Sequence, residues 1–556
     1  MAELMHVTGG QFTPVTVEDA RRFRRDGHWS SRSVRSLLAR AAERHPERLA
    51  VIGYRGGECT ERLTYAELSD AASEAAGVLT AAGVGPGDAV AVMLPSSAAF
   101  ASIVFALSQI GAVYTGVPAS YGERQVLPIV RRSRAKILVL GARNGNRDLL
   151  ALARRVRREA PELERVVVVD DPPPGLEPGE ARWSDLAGTA APEPADTPDS
   201  LCYLGFTSGT TGEPKGAMHT SETLVYAVDG LAEHLGDAVL GRPMVQVSAF
   251  PAGHHAGYVW GVLFPALLSG TAVHLDRWNP AQAAGIVERE QATMFFGAPT
   301  HLQDLVRTEL AEYRGNSLSC VVISGSSVPR TLPEAASQAL GAYVAPAWGM
   351  TECSILTACT PLENAAIQQT DGSPFAGSEV RVVDEHFKNV APGEIGELLM
   401  RGPGVTLGYF DREGATRDSF VPGRWFRTGD TAAIDERGRL SLHGRTKDII
   451  VRGGENIPVV EIETLLFDHP AVLDAAVVGY PDERLGERAC AVLRLKEGAT
   501  LELAELGEHL LRHGLSKHYL PERLLFLDEL PKTQSGKIRK FELRNLLASA
   551  AHVGQP

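Results

Sequence analysis

Between residues 62 and 273, short runs of aliphatic and β-branched residues alternate with alanine-rich segments whose apolar positions recur every three or four residues. The runs at 89–94, 137–140, 166–170 and 245–250 predict strands, and the segments between them predict helices. Such alternation predicts layered α/β structure. The most apolar stretch, 89–117, is broken by Pro95, Ser96, Ser97 and Gln109, so it predicts a buried strand followed by a helix rather than a membrane span. The proline-rich stretch 171–180 and the loose stretch 188–199 predict surface loops. Near Gly444 the pattern changes to charged turns and short strands, at 475–478 and 490–493, closed by a polar helix. The expected organisation is a large N-terminal domain of α/β subdomains, residues 1–446, and a small α+β domain, residues 447–556. No internal repeat is visible.

A chain of 556 residues with 44% hydrophobic content exceeds what one core organises, in keeping with two domains. Its formal net charge of −13 supplies no overall basic field and argues against nucleic acid or anionic lipid as a partner. Cys59, Cys202, Cys320, Cys353, Cys359 and Cys490 show neither CxxC nor zinc spacing and are expected as reduced thiols. With no secretory signal at the N-terminus and no address tag at the C-terminus, the expected location is the cytoplasm.

The candidate chemistry begins at Thr207-Ser208-Gly209-Thr210-Thr211-Gly212-Glu213-Pro214-Lys215-Gly216, directly after an apolar run. Glycines let backbone N–H groups turn toward an anion, hydroxyls add donors and the lysine adds charge, which together suit a polyphosphate. The loop does not satisfy the Walker A pattern. Its order of residues resembles the signature of the adenylate-forming superfamily, which holds acyl-CoA synthetases, luciferases and nonribosomal-peptide adenylation domains. The resemblance runs in the family's order from Leu63-Thr64-Tyr65-Ala66-Glu67-Leu68 through Trp348-Gly349-Met350-Thr351-Glu352, Gly393-Glu394-Ile395-Gly396-Glu397-Leu398, Tyr409 and Trp425-Phe426-Arg427-Thr428-Gly429-Asp430. In the small domain it continues through Gly444-Arg445-Thr446-Lys447-Asp448, Gly453-Gly454-Glu455-Asn456 and Pro531-Lys532-Thr533-Gln534-Ser535-Gly536-Lys537.

The resemblance implies ATP, Mg²⁺ and coenzyme A as cofactors and assigns roles residue by residue. Trp348 would lie against adenine, with Gly349 and Met350 beside it. Thr351 and Glu352 would sit at the triphosphate, Glu352 holding Mg²⁺, a hard cation that favours oxygen ligands. Asp430 would take the ribose hydroxyls and Arg445 the ribose and α-phosphate, where a planar fork of donors is useful. Lys537 matches the catalytic lysine that reaches both the substrate carboxylate and the α-phosphate. Lys447 matches the hinge about which the small domain turns as a mobile lid between half-reactions. Gly453, Gly454 and Glu455 would then line a tunnel for the pantetheine arm.

His254, in Pro251-Ala252-Gly253-His254-His255-Ala256-Gly257, is similar to the family's histidine beside the acyl carboxylate. Gly257, Tyr258, Gly297 and Ala298 are expected around a roomy apolar acyl pocket. Ser248-Ala249-Phe250-Pro251 carries no acid where amino-acid-activating relatives hold an aspartate, which argues against an amino-acid substrate. One departure from the family is Ser324-Gly325-Ser326-Ser327-Val328-Pro329, where Ser326 and Ser327 add hydroxyls to the wall near adenine. The expected activity is an acyl-CoA ligase for a hydrophobic acid that is bulky, cyclic or of medium length. An enzyme specialised for one half-reaction, whether thioesterification of a supplied acyl-AMP or acyl-AMP formation for a carrier protein, remains the alternative. A silent nucleotide-binding module would have lost Lys537 or Glu352, and neither is lost. No stable membrane insertion is expected, and a homodimer is left open.

Overall fold

The computed structural model describes residues 14–170, 175–207, 213–236, 240, 242–313, 315–361, 369–445, 450–452, 455–482, 484–533 and 536–551. Two largely parallel sheets dominate the N-terminal part. In the first, Tyr343–Met350, Cys320–Ile323, Met294–Gly297, Val245–Ser248, Thr271–Leu275 and Leu49–Arg55 run parallel, flanked by antiparallel Glu58–Thr64 at one edge and Ser354–Ala358 at the other. In the second, Glu180–Arg182, Arg165–Val168, Ile137–Leu140, Ala89–Met93, Val113–Gly116 and Leu201–Thr207 run parallel, closed by antiparallel Lys215–Thr220.

Ala89–Met93 and Ile137–Leu140 are buried at every position, because helices cover both faces of a parallel sheet and leave no polar side to alternate. The polar interruption of the apolar stretch has a local cause. Ser97 caps the helix Ala98–Ile110, its hydroxyl accepting from the Phe100 N–H at 3.2 Å, and Gly111 ends that helix at φ +76°. No helix among the described residues is long and apolar enough to cross a membrane.

The loops at the carboxyl ends of the two sheets meet. Gly116 ends one strand and Gly253 lies in the loop after another; a Cβ on Gly253 would stand 2.6 Å from the Val117 carbonyl, and one on Gly116 2.5 Å from the Gly253 carbonyl. Only bare backbone permits that approach. Loops gathered at the carboxyl ends of strands are where α/β sheets bind ligands.

A third sheet, antiparallel, carries Trp425–Ile434 and Leu440–Arg445. Ile450–Arg452 opens a fourth, in which Gly486–Leu495 is central and the edge strand Val472–Asp482 pairs with it; these two strands enclose both runs expected in the small domain. Helices Val459–Phe467, Leu503–Arg512 and Lys540–Ala551 accompany this sheet. All six cysteines are free thiols.

Candidate active site

Two adjoining cavities of about 360 and 560 Å³ open where the sheets and the small domain meet, each within the range of small-molecule sites. Gly349, Arg445 and Lys537 border both.

The smaller cavity gathers the residues expected around the nucleoside. Asp430 stands opposite Arg445 in the register of their antiparallel strands, and the Arg445 Nε lies 3.1 Å from Oδ1. The Trp348 Nε1–H donates to Oδ2 at 2.9 Å, and the Asp430 N–H donates to the Thr428 hydroxyl at 3.0 Å. Each carboxylate oxygen has two lone pairs, so Asp430 keeps acceptor capacity for hydroxyls beside these partners. Trp348 is itself largely buried, and its ring forms part of the wall together with Ser326 and Ser327. Those two serines occupy the turn after Cys320–Ile323 and make no hydrogen bond with their side chains among the described residues.

The larger cavity gathers residues expected at the phosphates, Thr207, Lys215, Thr351 and Glu352. Thr207 and Lys215 pair in register across the phosphate loop, whose residues Ser208, Gly209, Thr210, Thr211 and Gly212 lie outside the described residues. The Lys215 ammonium sits 4.9 Å from the centre of the Tyr409 ring, a cation–π contact, and the Tyr409 hydroxyl donates to Glu352 Oε1 at 2.9 Å. Burial raises the Glu352 pKa, opposed first by the Tyr409 hydrogen bond and more weakly by Arg445 and Lys215. Glu352 Oε2 is buried without a partner among the described residues. A single open carboxylate oxygen beside a phosphate site fits Mg²⁺, which takes few protein ligands and completes its shell with phosphate and water. The described residues contain no group of three or more His, Cys, Asp or Glu placed to hold a metal. Thr351 and Met350 also border this cavity, and the Thr351 carbonyl meets the buried His219 Nε2 at 2.7 Å.

His254 borders the same cavity, its Nδ1 accepting from the Ala256 N–H at 3.2 Å. Burial, and secondarily the ammonium of Lys537, push its pKa down to about 4, so the ring is neutral at physiological pH. Lys537 borders this cavity as well. Its loop is braced internally: Thr533 Oγ1 accepts from the Lys537 N–H at 3.0 Å, and the Thr533 N–H donates to the Lys537 carbonyl at 2.7 Å. It is braced externally by the Thr300 hydroxyl, which donates to the Gly536 carbonyl at 3.2 Å. The neighbouring cations are matched to carboxylates: Lys532 to Asp474, Arg539 to Glu542 at 2.8 Å and Lys540 to Glu463 at 2.7 Å.

Gly257, Tyr258, Gly297 and Ala298 lie in the packed structure beside the cavities. Gly257 makes room for the Pro251 carbonyl, which a Cβ would strike. Tyr258 is fully buried against Tyr114 and Tyr203. Gly297 faces Phe295 and His301, and Ala298 is enclosed. Apolar residues in the wall of the larger cavity include Phe250, Ala256, Trp260 and Phe296. Lys447, Gly453 and Gly454 lie outside the described residues, and Glu455 begins the short strand Glu455–Ile457. The motif order includes Tyr409 without giving it a role, because its partner lies 57 positions away.

Residues 38–410 match the AMP-binding enzyme family, and residues 461–537 match the AMP-binding enzyme C-terminal domain. The chain belongs to the adenylate-forming superfamily, in its acyl-CoA ligase branch. It is 32% identical to a medium-chain fatty-acid–CoA ligase of Escherichia coli, over 97% of each chain. It is 33% identical to a salicyl-AMP ligase / salicyl-S-ArCP synthetase of Mycobacterium tuberculosis, over 96% of this chain and 94% of the other. Among solved structures, the anthranilate CoA ligase AuaEII in complex with anthranoyl-AMP aligns with a TM-score of 0.83 at 25% identity, covering 94% of this chain and 98% of that one. This adenylate-forming enzyme thus shares fold and family with ligases acting on aliphatic and aromatic acids.

Proposed function

We propose that the protein joins a hydrophobic carboxylic acid to coenzyme A in two steps at one site. In the first, a carboxylate oxygen attacks the α-phosphorus of ATP and pyrophosphate leaves, giving acyl-AMP. In the second, the coenzyme A thiolate attacks the acyl carbonyl carbon and AMP leaves. The observation that supports this reading most is the seat of Lys537: a lysine of the small domain borders both cavities, the larger of them together with His254 and Glu352. There it faces the place where negative charge builds as the P–O bonds exchange. Glu352 Oε2 would hold Mg²⁺ against the phosphates, and the ion would neutralise part of their charge.

His254, neutral, offers a hydrogen bond to the carboxylate without competing for it as an ion pair. Phe250, Ala256, Trp260 and Phe296 offer the acid an apolar surface. For the second step the small domain would turn about Lys447, withdraw Lys537 and bring Gly453, Gly454 and Glu455 to the site.

The test is a panel of aliphatic and aromatic acids with Mg·ATP, scored separately for pyrophosphate release and for acyl-CoA. The proposal expects both products from at least one acid. Pyrophosphate release without thioester, restored by a carrier protein, would assign a different acceptor. Thioester formed only from supplied acyl-AMP would make the enzyme specific to the second half-reaction.

A further inference from the structure

Beside the smaller cavity lies an ion pair that neither step uses. The Arg330 Nη2 donates to Asp371 Oδ2 at 2.7 Å, and the Asp371 side chain is 2% exposed. The same Oδ2 accepts from the Leu442 N–H at 2.8 Å, and the same Nη2 donates to the Leu442 carbonyl at 3.2 Å. Both backbone groups of one residue are thus engaged by one pair of side chains. Leu442 belongs to the strand Leu440–Arg445, which pairs along one edge with Trp425–Ile434. The opposite edge is closed at Leu440 by backbone, the Asp371 N–H donating to the Leu440 carbonyl at 2.7 Å and the Leu440 N–H to the Gly372 carbonyl at 2.9 Å. At Leu442 it is closed by the ion pair. Between Leu442 and Gly444 the register slips, so His443 is the extra residue of a bulge, and it borders the cavity. Arg445 ends the strand against Asp430. The support under the pair is fixed independently. The Thr357 hydroxyl donates to the Asp371 carbonyl at 2.8 Å, and a Cβ on Gly372, which holds φ +83°, would stand 1.9 Å from the Ala358 carbonyl carbon. Arg330 directly follows the turn whose Ser326, Ser327 and Pro329 border the same cavity.

A buried ion pair is a weak source of stability, because desolvation offsets its attraction; what it supplies is geometry. Geometry is what this strand needs. The bulge at His443 interrupts the ladder just before Arg445, so pairing along one edge constrains Arg445 less than an unbroken strand would. We propose that Asp371 and Arg330 are positioning residues for ATP, which act through Leu442 to hold Arg445 in place against Asp430. The proposal rests on the ligase reading above, which puts the ribose at Asp430 and Arg445, and names the residues that keep that site in shape.

The test measures the Kd for Mg·ATP by calorimetry, and the KM for the acid at saturating ATP, in the full-length enzyme. The variants are Asp371→Asn, Arg330→Gln, Arg445→Ala, and each of the first two combined with the third. Asp371→Asn and Arg330→Gln should each weaken Mg·ATP binding by roughly 10-fold or more, within what a misplacement of about 1 Å can cost. The KM for the acid should stay near that of the parent. In the Arg445→Ala background the further loss should vanish, because the pair acts through that side chain. Lowered thermal stability with unchanged Mg·ATP affinity in both single variants would overturn the proposal and leave the pair a structural brace. Losses that multiply independently with that of Arg445→Ala would overturn it as well. Should Asp371→Asn fail to fold, Arg330→Gln decides alone, since it keeps the Asp371 bond to the Leu442 N–H. Failure of every acid to release pyrophosphate would overturn the ligase reading without changing the affinities on which this proposal is decided. A parent enzyme that does not bind Mg·ATP would overturn both.

Discussion

Glu352 must stay ionised where burial disfavours charge, and the Tyr409 hydroxyl is the largest single influence opposing that burial. Tyr409→Phe removes this hydrogen bond, so the carboxyl pKa rises further and the metal site is protonated at higher pH. The acidic limb of the pyrophosphate-release profile should therefore move to higher pH, and apparent Mg²⁺ affinity should fall roughly tenfold or more, as expected when a group orienting a metal ligand is lost. A pH profile taken at limiting Mg²⁺ checks both. Three histidines carry a second pH dependence, through stability. Burial, their leading influence, holds His219 and His254 near pKa 4 and His301 near 3, whereas an unfolded histidine titrates near 6.5. As pH falls from about 6.5 toward 4, the unfolded chain gains protons that the folded protein refuses, so stability declines across that window. Urea midpoints measured between pH 7.5 and 5 should decrease, and replacing His301 with glutamine should flatten that decrease.

At the scale of elements, the site depends on loops from two sheets touching at Gly116 and Gly253. In Gly253→Ala the new methyl would meet Val117 backbone, which cannot yield as a side-chain tip can; the variant should lose about 1–3 kcal/mol of stability and some adenylation activity. Gly285→Ala is the control: it lies exposed in the helix Pro280–Arg289 with nothing within 4 Å of a new Cβ, and should gain about 0.5–1 kcal/mol. Denaturant melts of the two variants should move in opposite directions. The strands were legible because their signal is local: all four runs expected in the N-terminal part coincide with strands to within a few residues. The order of motifs likewise made the family legible. The acyl wall was not. Gly257 reads as space in a sequence, yet which neighbour needs that space depends on how Pro251 is turned. The Tyr409–Glu352 bond joins positions whose proximity only the packed fold decides.

At the scale of the molecule, the small domain reaches the large one through Thr300 to Gly536, Arg307 to the Leu473 carbonyl at 3.3 Å and Thr331 to Asp468 at 2.8 Å. In the proposed reaction Lys537 serves acyl-AMP formation and is then withdrawn, so its side chain should matter to one half-reaction alone. The direct measurement compares Lys537→Ala with the parent enzyme in two assays: pyrophosphate release from acid and Mg·ATP, and thioester formation from synthetic acyl-AMP and coenzyme A. The account predicts a loss of roughly 10²-fold or more in the first, the scale of a preorganised electrostatic donor, with the second largely retained. Equal loss of both in a variant that remains folded would contradict it.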